Sequence, residues 1–274
     1  MENARLLNCL AADYAKLRYA AERELTAPVP SCPGWTMTDL VTHVAHVYLH
    51  KAEAMRQGRQ PEPWPPDLSG EEPLPLLERG YRELEVEFAA RDPADPVWTW
   101  YDPDQTVGFW IRRMAQETVI HRVDAELALG EPISPIPDDL ALDGVDEALV
   151  RFLRFGAEGW FEYFEPELKN STGAAVEVRP EGGRWRVAWT PTAIEVVPQA
   201  SGAGGGPAGS GGDAPGTGEG AGASVAQVAP VASVSGAADP VLRWLWGRGI
   251  DGIEIDGDAD AVAELRKLLV IATQ

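Results

Sequence analysis

Glu117 and His121 stand four residues apart in "MAQETVIHRVDAE", Met114 to Glu126. On a helix that spacing stacks a carboxylate and an imidazole one turn apart on the same side. Two chemistries use such a pair. One is an ordinary i,i+4 ion pair, worth about 0.2–0.5 kcal/mol. The other is two-thirds of a metal site, because carboxylate oxygen and neutral imidazole both ligate divalent metals. The other three histidines, His43, His46 and His50, crowd into "THVAHVYLH". One of them would complete a His2Glu set. Three protein ligands on zinc leave a fourth position open, the arrangement of catalytic zinc. The same set also suits non-haem Fe(II).

Periodicity identifies the elements that must position these groups. A first helix is expected over 2–25, with Leu6, Leu7, Leu10, Tyr14 and Leu17 at helical spacing. "VPSCPGW" reads as a turn, and Thr36 with Asp39 as a capping box opening a second helix to about Met55. A Pro-rich loop at 60–73 leads to a third helix over roughly 74–91. A fourth runs from about 107 to Leu129 and stops at Gly130, and a fifth covers about 138–164. On the fourth, Trp110, Met114, Glu117, His121, Ala125 and Ala128 fall in one stripe less than a quarter-turn wide, with Arg112, Val119, Arg122 and Glu126 outside it. Glu117 thus lies in line with apolar residues, where an unpaired carboxylate is costly. On the second helix Leu40, Val44, Val47 and Tyr48 make the inward face. His43 lies at its edge and is the best placed of the three, whereas His46 and His50 read as surface residues. Asp124 sits one turn beyond His121, either orienting a ligand imidazole or pairing with Arg122.

Beyond about 165 the period changes. "AAVEVRP", "RWRVAWT" and "AIEVV" read as strands, joined in part by a turn at Glu181-Gly182-Gly183. Residues 201–224 hold 11 of the 28 glycines and read as a flexible insertion. "SVAQVAPVAS" then resumes a strand. "DPVLRWLWGR" reads as a short helix capped by Asp239 with Pro240 at its first position, "GIEID" as a last strand and 258–272 as a last helix. The expected organisation is a helical bundle over 1–150 and an α+β domain over 151–274. Arg248, beside two tryptophans, is a candidate for an anionic group. Arg243 reads as favourable charge near a helix end.

Bulk composition removes several function classes. The net charge of −20 disfavours a nucleic-acid partner. No apolar run is long enough to span a membrane. The N-terminal stretch lacks the basic-then-apolar layout of a secretory leader, so a cytoplasmic protein is expected. Two cysteines, Cys9 and Cys32, without CxxC fit a reducing compartment. Cys32 reads as a small packing residue. Oligomeric state is left open.

"VPSCPGWTMTDLVTHVAHV", followed about 75 residues later by "ETVIHRVDAELALG", resembles the mycothiol-dependent maleylpyruvate isomerase family. "SVSGAADPVLRWLWGRGIDGIEIDGDADAV" is similar to that family's C-terminal domain. The resemblance implies a DinB-like four-helix bundle followed by a sterol-carrier-like α+β domain. It places the metal ligands on His43, Glu117 and His121, the metal being divalent and usually zinc. It also implies mycothiol as thiol co-substrate and an actinobacterial cytoplasm. The reaction expected is attack of a metal-activated thiolate on a small electrophile, ending in isomerisation or S-transfer. Two other readings stay beside it: a His2Glu Fe(II) enzyme, and a non-catalytic metal-binding or regulatory protein of the same fold.

Overall fold

Thr36 opens the helix that carries His43. In the computed structural model its hydroxyl accepts from the Asp39 amide, and the Asp39 carboxylate accepts from the Thr36 amide at 2.8 Å, a reciprocal capping box. The structure describes residues 1–68, 70–199 and 225–273. The glycine-rich stretch at 201–224 lies outside the described residues. These form two compact units, Met1–Leu140 and Ala141–Gln274. The expected division at 150 falls inside the helical run that begins at Asp138.

The first unit is built on α1 (Asn3–Arg23), α2 (Met37–Gln57), α3 (Pro73–Ala89) and α4 (Val107–Ala128). α1 packs chiefly on α4, and α2 on α3 and α4. Leu6, Leu10 and Leu17 of α1 and Leu40, Val44 and Tyr48 of α2 are buried in its core. Gly80 lets α3 approach α2 closely: a Cβ there would stand 2.9 Å from the Ala45 carbonyl oxygen. The single apolar stripe expected of α4 is too narrow. Val119, Arg122 and Glu126, outside that stripe, are buried as well. α4 packs on both α1 and α2, so more than one stripe of it is covered. Arg122 is tolerated there because its guanidinium donates to Asp13 Oδ1 at 3.1 Å, to Glu126 Oε2 at 2.7 Å and to the Ser134 carbonyl at 2.6 Å. Gly130, at φ 66°, ends the element as expected.

The fifth helix is less regular than its periodicity suggests. It comprises α5 (Asp138–Asp146), a π-helical run Glu147–Arg154 and α6 (Phe155–Gly159), and it stops at Trp160, short of 164. A short α7 (Glu165–Leu168) follows. The sheet has the order β3-β2-β1-β4-β5, from β1 (Ala174–Pro180), β2 (Trp185–Thr190), β3 (Ala193–Pro198), β4 (Ala232–Gly236) and β5 (Glu254–Gly257). Only β1 and β4 pair in parallel. The register puts Val178 opposite both Trp185 and Val234. α8 (Ala238–Leu245) and α9 (Ala259–Ala272) pack on β1 and β4.

Two local expectations need correction. The strand after the glycine tract begins at Ala232, and Val225–Gln227 is a 3-10 turn. Pro230 has no amide to give to a ladder, so pairing with β1 begins only beyond it. Asp239 is not the cap of α8. The cap position is Ala237, and the Asp239 carboxylate instead accepts from Arg243 Nε at 2.6 Å.

Candidate metal centre

The turn before α2 forms one wall of the site. The Trp35 amide donates to the Cys32 carbonyl at 3.0 Å, with Pro33 and Gly34 between. Gly34 has φ 85°, the positive value that this turn requires at its third residue. Val29 and Trp35 pair across the base of the loop through a 2.9 Å amide–carbonyl bond. The loop presents Ser31, Cys32 and Trp35 toward α2 and α4.

His43 from α2 and Glu117 and His121 from α4 converge there. Their nearest ligand atoms all lie within 4.8 Å of one another. Glu117 Oε1 is 3.2 Å from His43 Nε2 and 3.2 Å from His121 Nε2. A tetrahedral ion with ligands at ~2.1 Å separates them by ~3.4 Å, which the two Glu117 separations already approach, whereas the two imidazoles are held only within 4.8 Å and would draw together on an ion. The side chains of Glu117 and His121 are 12% and 11% exposed, and that of His43 is 39% exposed. The centre is therefore most open on the His43 side. The Trp35 ring lies 5.1 Å from the His43 ring.

Each of the two α4 candidates, Glu117 and His121, has a supporting partner. The His121 Nδ1–H donates to Asp124 Oδ2 at 2.9 Å, and Nε2 faces Glu117 Oε1. Asp124 is fully buried. Its other oxygen accepts from the Ser31 hydroxyl at 2.5 Å, and the Cys32 thiol lies 3.9 Å from Oδ2. Glu117 Oε2 is held by the Arg113 guanidinium, one turn earlier on α4. The two oxygens of Glu117 thus divide, one toward the imidazoles and one toward Arg113.

These contacts set the protonation states of the metal-free centre. Burial alone would raise Glu117. The Arg113 charge, then His121, outweigh it and hold the carboxyl well below its ordinary range. Burial alone would lower His121. The Glu117 charge and the hydrogen bonds to Asp124 and Glu117 outweigh that and raise it to about 9.

The remaining candidates lie elsewhere. His46 does not join the triad, and burial and then His43 lower its pKa. His50 faces the Trp64 ring at 5.0 Å, and burial, then Lys51, push it down to about 4. Both are partly buried rather than surface residues. Arg248 belongs to the second unit, where its guanidinium donates to the Trp246 carbonyl. Asp124 is turned to His121 and Ser31, while Arg122 pairs with Asp13 and Glu126. Sequence reasoning passed over Ser31, Trp35 and Arg113. Arg113 alone carried a readable signal, standing four residues before Glu117 as Glu117 stands before His121.

Residues 7–126 match the family model described as the mycothiol maleylpyruvate isomerase N-terminal domain. Two crystal structures have a similar fold: that of the mycothiol-dependent maleylpyruvate isomerase, 16% identical, and that of a histidine-to-alanine mutant of that enzyme, 15% identical. Each comparison has a TM-score of 0.62 and covers 94% of this chain and 95% of the other. No curated protein matches the chain. Over residues 7–126, which carry His43, Glu117 and His121, the chain is therefore similar to the mycothiol maleylpyruvate isomerase N-terminal domain.

Proposed function

We propose that the chain is a divalent-metal-dependent enzyme that uses mycothiol to act on a small electrophile, as an isomerase or an S-transferase. The observation that carries this reading is the convergence of His43, Glu117 and His121 within 4.8 Å, inside the domain matched by the family model. We take the ion to be zinc and the setting to be cytoplasmic. No helix among the described residues is long and apolar enough to cross a membrane.

A divalent cation at this centre supplies an open coordination position that favours a thiol sulfur as thiolate at neutral pH. The chain's own residues then have separable tasks. His43, Glu117 and His121 bind the ion, and their summed charge of −1 leaves the centre net positive. Asp124 keeps the His121 proton on Nδ1 and holds the ring's orientation, and Ser31 fixes Asp124 in turn. Arg113 anchors the Glu117 oxygen that faces away from the imidazoles. Trp35 packs beside His43 at the more open side of the centre.

The test is cobalt substitution with mycothiol titration, following the absorption spectrum. A saturable sulfur-to-cobalt charge-transfer band, absent in His121→Ala, is the expected result. Cobalt binding without that band would refute thiolate chemistry at this centre. Failure to bind cobalt at all would refute the metal site.

A further inference from the structure

The loop that joins α2 to α3 is rich in proline, and it forms one wall of a second cavity in the first unit. Pro61, Pro63, Trp64 and Pro66 of the loop line a space of about 250 Å3 together with Leu49 of α2. Glu53 and Arg56 of α2 and Arg79 and Glu83 of α3 line it too. Among the described residues, none of His43, Glu117, His121, Asp124 or Arg113 belongs to its lining. Drug-sized ligands occupy roughly 300–1,000 Å3, so this space suits a smaller molecule.

The charges around the cavity decide the sign of what it can hold. Arg56 Nε donates to Glu87 at 2.6 Å, and its Nη1 donates to Glu83 at 2.8 Å. Arg79 donates to the two oxygens of Glu71 at 2.6 and 3.0 Å, and to the other oxygen of Glu83 at 2.9 Å. Both guanidiniums are thus matched by carboxylates, and an anion entering the cavity would meet no uncompensated cation. Glu62, by contrast, lines the cavity, is exposed and has no ion-pair partner among the described residues.

The uncharged part of the lining points the same way. Prolines have no amide N–H to offer an anion, but they present rigid apolar surface to alkyl groups. An indole face attracts a cation more strongly than any other aromatic ring. The Trp64 ring is set edge-to-face against His50 at 5.0 Å. Burial, then Lys51, holds His50 at a pKa of about 4, so at neutral pH it adds no competing positive charge beside the indole.

We infer that this cavity binds a small organic cation of the alkylammonium class, its alkyl groups among the prolines and Trp64 and its charge met by Glu62. The site shares no residue with the candidate metal centre, so it stands or falls independently of the metal–thiol reading.

The test uses the full-length protein with its ten tryptophans replaced by fluorotryptophan and followed by fluorine NMR. The signal missing in Trp64→Leu identifies Trp64. Three probes share one branched body and differ in charge: choline, neohexanol and the anion of tert-butylacetic acid. Choline is expected to shift the Trp64 signal saturably and to bind about tenfold more tightly than neohexanol, with no shift from the anion. In Glu62→Gln choline is expected to bind about threefold more weakly, with neohexanol unchanged. The other tryptophan signals show whether each variant keeps its fold, and the ratio of the two affinities is read within each variant. No shift with choline, equal affinity for all three probes, or a choline preference untouched by Glu62→Gln overturns the inference.

Discussion

At the scale of single residues, a buried carboxylate between two imidazoles matters most. Glu117 tolerates burial because Arg113, His121 and His43 all surround it. Those same contacts charge His121 in the metal-free protein, and a protonated imidazole cannot ligate. Metal uptake must then expel a proton from His121 at any pH below about 9. The sign follows directly: apparent metal affinity rises with pH, by about tenfold per unit for one proton, and levels off above about 9. Chelator competition between pH 6 and 10 measures the slope, and calorimetry in buffers of different ionisation enthalpy counts the proton. Asp124 touches His121 and stands outside the candidate ligand set, so its effect on a bound ion would pass through His121. Asp124→Asn keeps the shape and removes the charge that favours Nδ1–H. Metal affinity is expected to fall about 10–100-fold, measured by the same competition. Ser31→Ala, which removes one hydrogen bond to Asp124, is expected to have a smaller effect in the same direction.

At the scale of elements, the centre depends on how closely helices approach. α2 carries His43, and its position against α3 is set at Gly80. Alanine is the better helix former by about 1 kcal/mol. Here its methyl would meet the Ala45 carbonyl at 2.9 Å, and a backbone atom cannot swing aside. Overpacking of this kind costs about 1–3 kcal/mol, so the clash wins over propensity. Gly80→Ala is expected to lower the thermal midpoint, and to weaken cobalt binding because α2 moves relative to α4. The buried Arg122 cluster is the second element-scale device. It ties α1 to α4 through Asp13 and to the segment after α4 through Ser134. Arg122→Met leaves two buried carboxylates without their cation. A loss of about 3–5 kcal/mol is expected, read as a lowered urea midpoint.

At the scale of the whole molecule, the charge of −20 acts against compaction. Many surface ion pairs relieve it locally, among them Arg79 with Glu71 and Glu83, and Arg56 with Glu83 and Glu87. Exposed pairs contribute roughly 0–1 kcal/mol each and are themselves screened by salt. Twenty uncompensated negative charges are a larger effect than those pairs can offset. Raising the ionic strength from about 0.01 to 0.15 M shortens the Debye length from ~30 to ~8 Å. The thermal midpoint is therefore expected to rise over that range. A midpoint that falls would mean that the ion pairs outweigh the general repulsion.

The bundle of four helices, the change to strands after about residue 170 and the ends of α2 and α4 were all legible in the sequence. Each rests on short-range rules: apolar spacing, a capping box at Thr36 and Asp39, and a positive-φ glycine at 130. Glu117 and His121 were legible as a pair for the same reason, since helical periodicity alone places them together. Other features were decided only by tertiary packing. Whether Asp124 supports an imidazole or pairs with Arg122 depends on where the Ser31 loop and Asp13 come to rest, 93 and 109 residues away in sequence from their respective partners. The burial of α4 on several sides depends on neighbours its own periodicity does not register. Local hydrogen bonds and side-chain spacing are written in neighbouring residues, whereas charge pairing across a core is settled by which distant surfaces the fold brings together.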